Sequence, residues 1–174
     1  MRKTVSGFTI VELLIVVVVI AILAAISIVA YTGAQDRAKI SRANADLASL
    51  EKAVQLARVS SSKVLGQITE SNCSRCACPY ASGDMTDYST LPSTNNCWVR
   101  YNALIDAIET ASGANLGALR SGDPWGAPYS VDENEGENGG CGKDLIWSFG
   151  PSKTMNGSTA IGSRYISLSG NSGC

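Results

Sequence analysis

A single carboxylate, Glu12, interrupts a long apolar run near the start of the chain. The surrounding sequence, GFTIVELLIVVVVIAI at residues 7–22, otherwise contains only apolar residues, one glycine and one threonine. If this run lies in lipid, a charged side chain within it costs about 2.5–3.5 kcal/mol. Ionisable residues in such segments are rare and usually pair with another charge or mark a functional site. Glu12 is therefore the first candidate functional residue.

The composition argues against two large classes of protein. The chain of 174 residues has no histidine, which removes the usual general base near neutral pH, Ser-His-Asp and Cys-His catalysis, and histidine-ligated metal sites. Its formal net charge of -1 gives no electrostatic reason to expect nucleic acid as a partner. We therefore predict a protein that is not an enzyme and that binds no nucleic acid directly.

The apolar run is long enough to cross a membrane as a helix. From position 13 to position 30 every residue is apolar or small except Ser27, and with the preceding residues the run exceeds the roughly 20 that a transmembrane helix needs. Arg2 and Lys3 precede it, so the basic N-terminus is predicted to stay inside while the rest is exported. A cleaved secretory signal peptide is the alternative, but its apolar region would be shorter and the helical pattern would not continue beyond it.

The string GFTIVELL at residues 7–14, behind the short basic leader MRKTVSG, resembles the prepilin-type signal of type IV pilins and of the pseudopilins of type II secretion. The resemblance implies that a membrane peptidase cuts between Gly7 and Phe8, and that Phe8 is then N-methylated. It also implies that Glu12 neutralises the N-terminus of a neighbouring subunit and so acts as an assembly register. The structural alternative is a carboxylate that is merely solvated at the membrane interface.

The sequence after the apolar run predicts that the helix continues. Apolar residues recur in steps of three and four, which is typical of one buried helix face. They are Ile40, Ala43, Leu47, Leu50, Val54 and Ala57. The opposite face is predicted to carry Arg37, Arg42, Asp46 and Lys52. We therefore predict one helix from about Phe8 to about Ser60, with a transmembrane part at 8–31 and an amphipathic part at 32–60, after a leader at 1–7.

Residues 61–174 are predicted to form the exported head. A polar, cysteine-rich loop at 61–97 has no sustained period, and a second helix is predicted from Val99 to Ala111. Three strand-like pieces follow at 128–131, 145–150 and 164–168, separated by turn residues, so a small antiparallel sheet is predicted within 127–168. The predicted fold is α+β and type IV pilin-like, with the sheet covering the outer half of the long helix.

The stretch DPWGAPY at residues 123–129 resembles the head of the major pseudopilin of type II secretion. The alternative for this stretch is an ordinary Pro/Gly turn. In that family a calcium ion is held by acidic side chains in a loop beyond the second strand, whereas here no Asp or Glu follows Asp144. We therefore predict no cofactor, and leave Asp132, Asn134 and Glu135 as an alternative calcium site in the acidic run.

Six cysteines lie in the predicted exported part. They are Cys73, Cys76, Cys78, Cys97, Cys141 and Cys174. An even number of cysteines in an oxidising compartment favours disulfides, and resemblance to pilins implies a C-terminal loop closed by Cys141 and Cys174. A zinc site formed by the first four, and a redox-active C-x-x-C pair, are the alternatives.

The resemblances predict a structural subunit of a type IV pilus-like filament. Its predicted partners are the prepilin peptidase, copies of itself, other pilins and the assembly platform of the inner membrane. The chain would be a single-pass inner-membrane protein and then part of a surface or periplasmic filament. A type II secretion pseudopilin and a membrane-anchored binding or adhesin module are the two alternatives, although an anchored module would not need Glu12.

Overall fold

The computed structural model describes residues 8–70, 73, 78, 86–133, 143–154 and 160–166, except for the side chains of Val29, Ser163 and Tyr165. The chain divides into two compact units, with the boundary between Ala38 and Lys39. The second unit contains every strand that the structure describes.

The first element is helix α1, Ile10–Ser61. No proline occurs within it, and the strong helix formers Ala and Leu recur throughout. The helix begins two residues later than predicted, because Thr9 precedes its first turn as the N-cap residue. It ends close to the predicted residue, where Ser62 takes a positive φ of 55°.

Two further α-helices and three short 3₁₀ segments lie in the described part of the head. Helix α2, Leu65–Ile68, was not predicted, and helix α3, Asn96–Ser112, begins three residues before its predicted start. The α3 start is set by Asn95, whose side chain accepts a hydrogen bond from Cys97 N at 2.9 Å. Its end is set by Gly113 in the left-handed region. The 3₁₀ segments are Tyr88–Thr90, Gly117–Ser121 and Gly150–Ser152.

Three antiparallel strands form the described sheet, in the order β1-β2-β3. They are β1, Ser130–Asp132, β2, Asp144–Ser148, and β3, Ile161–Ile166. In register, Val131 is opposite Ile146, and Asp144 is opposite Ile166. The predicted α+β class and antiparallel sheet are confirmed, although each strand is shifted by one to three residues from its predicted position.

The main hydrophobic core lies in the second unit, between α1, α3 and the sheet. The predicted stripe of α1 is buried from Ala43 to Ala57, but Ile40 is 40% exposed. The predicted face of α3 is also buried. The core side chains include Leu47, Leu50 and Val54 of α1, Tyr101, Leu104, Ile105 and Ile108 of α3, and Val131, Ile146 and Ile166 of the sheet. The sheet therefore covers the outer part of α1, as the sequence predicted.

Polar contacts also join α1 to the sheet region. Asp46, which we predicted on the solvent face, is half-buried and accepts a hydrogen bond from the Tyr129 hydroxyl at 2.7 Å. That prediction was wrong because helical spacing does not show which polar side chain has a partner elsewhere in the chain. Arg58 is buried and forms an ion pair with Asp144, with 3.1 Å between Nη2 and Oδ2.

Candidate functional site

The candidate site lies at the first turn of α1, in the first unit. Phe8 and Thr9 precede the helix, and Glu12 is in its first turn. The Phe8 side chain is 85% exposed. Gly7, the other residue of the predicted cleavage site, lies outside the described residues.

Thr9 and Glu12 form a reciprocal capping box. The Glu12 carboxylate accepts hydrogen bonds from Thr9 N at 2.9 Å and from the Thr9 hydroxyl at 2.8 Å, both at Oε2. In return, Glu12 N donates to Thr9 Oγ1 at 3.2 Å. Two backbone N–H groups that the helix would otherwise leave unpaired are satisfied in this way. Glu12 is thus held at the helix start by its own chain.

The capping role of Thr9 was not predicted. The spacing Thr9-x-x-Glu12 immediately before an apolar run is the sequence signature of a capping box, so a signal for this contact was present. Glu12 was predicted to be functional only because its charge lies in an apolar run, and its capping contact with Thr9 was not predicted.

The helix that follows this site has an unusually apolar surface. The large apolar side chains described between Phe8 and Tyr31 are 46 to 85% exposed. By length and composition, α1 is long and apolar enough to cross a membrane, with a mean hydropathy of 3.4 over its most apolar window. A surface of this kind is stable only against lipid or against other apolar helices.

Within the head, Asp123 organises the DPWGAPY stretch. Its Oδ1 accepts hydrogen bonds from Trp125 N and Ala127 N, both at 3.0 Å, and its Oδ2 accepts one from the Ser148 hydroxyl at 2.6 Å. Asp123 N also donates to Ala127 O at 2.7 Å. The carboxylate therefore stabilises its own turn through backbone N–H groups and connects that turn to Ser148 at the end of β2.

Burial raises the pKa of Asp123 above its ordinary value, although its hydrogen bonds oppose the rise. Because the folded-state pKa lies above the unfolded one, the contribution of Asp123 to stability is greatest below the unfolded pKa and is lost as pH rises through the folded pKa. Asp123→Asn removes this titration. We expect the free energy of unfolding of the wild type, relative to that of the variant, to fall as pH rises from about 4, the ordinary pKa of an aspartate, through the folded-state pKa.

This prediction is measured by urea unfolding of the full chain in detergent micelles, followed by tryptophan fluorescence. The control variant is Asp87→Asn, because a hydrogen bond from Ser89 lowers the pKa of Asp87. For Asp87 the relative stability of the wild type should instead fall as pH decreases through the folded pKa. A wild-type advantage over Asp123→Asn that grows with pH would contradict the expected sign.

Among the predicted cysteine sites, the structure describes one complete disulfide, between Cys78 and Cys97. Both residues are buried in a second hydrophobic cluster with Tyr88, Trp147 and Phe149. Their sulfur atoms are thus bonded to each other and are not ligands for zinc. Cys73 is also disulfide-bonded. Cys76, Cys141 and Cys174 lie outside the described residues, and so does the predicted Cys141–Cys174 pair.

The alternative calcium residues are only partly described. Asp132 is buried at the end of β1, and Asn134 and Glu135 lie outside the described residues. Among the residues that the structure does describe, no group of three or more Cys, Asp or Glu side chains is arranged to hold a metal ion.

Comparison with known protein families places the prokaryotic N-terminal methylation motif at residues 2–28. No curated protein and no solved structure matches the chain. The matched motif is the prepilin-type signal of type IV pilins and pseudopilins, and it contains the whole capping box.

The motif, the long apolar helix and the α+β head together make the chain similar to prepilin-type proteins such as type IV pilins and pseudopilins. Proteins with this motif are structural subunits rather than enzymes. The motif implies processing by prepilin peptidase and assembly into filaments. A single-pass membrane anchor is consistent with both the motif and α1.

Proposed function

We propose that the protein is a structural subunit of a type IV pilus-like filament. It is made as a prepilin, cleaved after Gly7, N-methylated on Phe8 and polymerised through α1. The observation that carries this proposal is Glu12 at the head of a helix whose apolar surface is exposed, inside the matched methylation motif. The proposed activity requires no cofactor.

The physical basis is the pairing of charges in an apolar setting. Cleavage creates an ammonium group on Phe8, which is costly in lipid unless it is neutralised. A carboxylate four residues further along the same motif supplies the opposite charge. In the filament, the Glu12 carboxylate neutralises the N-terminus of an adjacent subunit, so that helices pack at a fixed register.

The proposed orientation has the N-terminus inside and the head outside. Arg2 and Lys3 are the basic residues before the apolar run, and such residues remain on the cytoplasmic side. An oxidising compartment for the head is supported by the disulfide between Cys78 and Cys97.

Among the alternatives, the pseudopilin is favoured by one observation, the DPWGAPY turn that Asp123 closes. The high cysteine content and the absence of acidic residues after Asp144 favour a pilus subunit instead. An anchored adhesin module would need the apolar helix but not the carboxylate within it.

Intact mass and N-terminal sequencing of protein from the membrane and from sheared surface material test the proposal. We expect a chain that begins at Phe8, carries one added methyl group and lacks the hydrogens of its paired cysteines. Recovery in the sheared fraction supports a pilus, and confinement of the processed chain to the membrane supports a pseudopilin. A chain that still begins at Met1 and occurs only in the membrane would refute the proposed function.

A further inference from the structure

A pocket of about 380 Å³ lies in the head, between the segment that follows α1 and one face of α3. The α3 side of the pocket is formed by half-buried alanines at steps of four residues, Ala103, Ala107 and Ala111. Their small side chains leave the space open, whereas the neighbouring Leu104 and Ile108 pack into the main core. The volume lies within the range of sites for small molecules.

The opposite wall of the pocket comes from residues 61–70, which include α2, and is held in place by the core. Leu65 is buried in the main hydrophobic cluster. Thr69 is also buried, its N donates to Leu65 O at 2.9 Å, and its hydroxyl forms a hydrogen bond with Glu133 beside β1. The pocket is therefore formed before any ligand is present.

Two opposite charges line this pocket, those of Lys63 and Glu70. Both side chains are exposed. Among the residues that the structure describes, neither side chain has an ion-pair or hydrogen-bond partner, so the two are not paired with each other. An ammonium and a carboxylate that line one pocket without pairing are complementary to a ligand that carries both charges.

The backbone conformation at position 70 supports a use for the Glu70 carboxylate. Glu70 has a positive φ of 54°, which glycine would adopt more readily than glutamate. Backbone stability alone would therefore favour glycine there. Unfavourable conformations of this kind are found most often at functional sites and ligand clamps.

We propose that this pocket binds a small zwitterion with an apolar side chain, of the class of free α-amino acids and very short peptides. The ammonium group of the ligand pairs with Glu70, its carboxylate pairs with Lys63, and its apolar part lies against the alanines of α3. The site goes beyond the proposed function and does not rest on it, since binding requires neither cleavage nor assembly.

Isothermal titration calorimetry of the full chain in detergent micelles tests the site with two probes, L-leucine and L-leucyl-L-leucine. We expect saturable binding of at least one probe, with a Kd of about 1 mM or below. The probe that binds more tightly identifies which of the two sources of a zwitterion the pocket fits. Absence of saturable binding by both probes would overturn the proposal.

Removing one charge at a time tests the two proposed ion pairs. Glu70→Gln and N-acetylation of the probe each remove one side of the first pair, and Lys63→Met and a C-terminal amide do the same for the second. We expect each single change to weaken binding about tenfold, and both changes within one pair to weaken it little further. Losses that add fully within each pair would contradict this assignment.

The matched control for the charge variants is Lys52→Met. Lys52 is an exposed lysine of α1 that does not line the pocket. Its replacement should leave the Kd within about twofold of the wild-type value. An equal loss in Lys52→Met and Lys63→Met would show that only the overall charge of the head matters, and would overturn the site.

Ala107→Leu tests the pocket itself. Leucine keeps a high helix propensity at this half-buried position but fills the open space, so binding should weaken at least about tenfold. Circular dichroism and tryptophan fluorescence establish that the variant remains folded. Undiminished binding would place the ligand elsewhere and overturn the proposal. Failure of both probes in the wild type, together with an altered oligomeric state of Ala107→Leu, would assign the pocket to a second copy of the chain instead.

Discussion

Glu12→Gln is expected to abolish filaments while leaving membrane insertion intact. Glutamine at this position of a capping box can still accept from Thr9 N, so the helix start is preserved and only the charge is lost. An ammonium buried without its partner is destabilised by several kcal/mol. Since each 1.4 kcal/mol is a factor of ten, the amount of assembled protein should fall at least about 100-fold.

The measurement is an immunoblot of sheared surface material beside the carbonate-washed membrane fraction. Ser27→Ala is a matched control, because the Ser27 hydroxyl donates to Leu23 O within α1 and carries no charge. It should leave filament yield within about twofold of the wild type. Normal filaments from Glu12→Gln would show that the carboxylate only caps the helix, and would refute its role in assembly.

Gly122→Ala is expected to cause the largest loss of stability in the head. Gly122 has a φ of 77°, a backbone conformation that residues other than glycine rarely adopt. A Cβ atom there would collide with the backbone carbonyl of Ala127 and lie 2.7 Å from the Trp98 ring. The same carbonyl accepts the hydrogen bond from Asp123 N. Backbone strain and overpacking together are expected to cost about 3–5 kcal/mol.

Gly113→Ala is the matched control for this substitution. Gly113 also has a positive φ, 71°, and a Cβ atom there would meet nothing within 4 Å. With a ψ of 6° it lies in the left-handed helical region, whereas Gly122, with a ψ of -166°, lies in a region open essentially to glycine alone. The cost of Gly113→Ala should be limited to backbone strain, about 1–2 kcal/mol. Urea unfolding of the full chains, followed by tryptophan fluorescence, compares the two. Equal losses for both variants would show that neither the close packing around Gly122 nor its rarer backbone conformation adds to the cost.

Local patterns predicted the helices well, because burial of one helix face requires apolar residues at a regular spacing of three and four positions. The stripe from Ala43 to Ala57 and the buried face of α3 were both found from spacing. The start of α1 was misplaced by two residues because Thr9 was not interpreted as a cap.

The contacts that could not be predicted join residues far apart in the chain. Tyr129 and Asp46 are separated by 83 residues, and Asp144 and Arg58 by 86. Their pairing depends on how α1 and the sheet pack, which no local pattern encodes. The Cys78–Cys97 bond was likewise one of many possible pairings among six cysteines.

The buried stripe of α1 has a practical consequence for cutting the chain. Leu47, Leu50 and Val54 supply the α1 side of the head's core, so the head without them would expose the apolar faces of α3 and the sheet to water. Removing the apolar N-terminal segment is therefore compatible with an intact core only if the shortened protein begins before Ala43. A cut made where the amphipathic half ends, near Ser61, would yield an aggregating fragment rather than a soluble head.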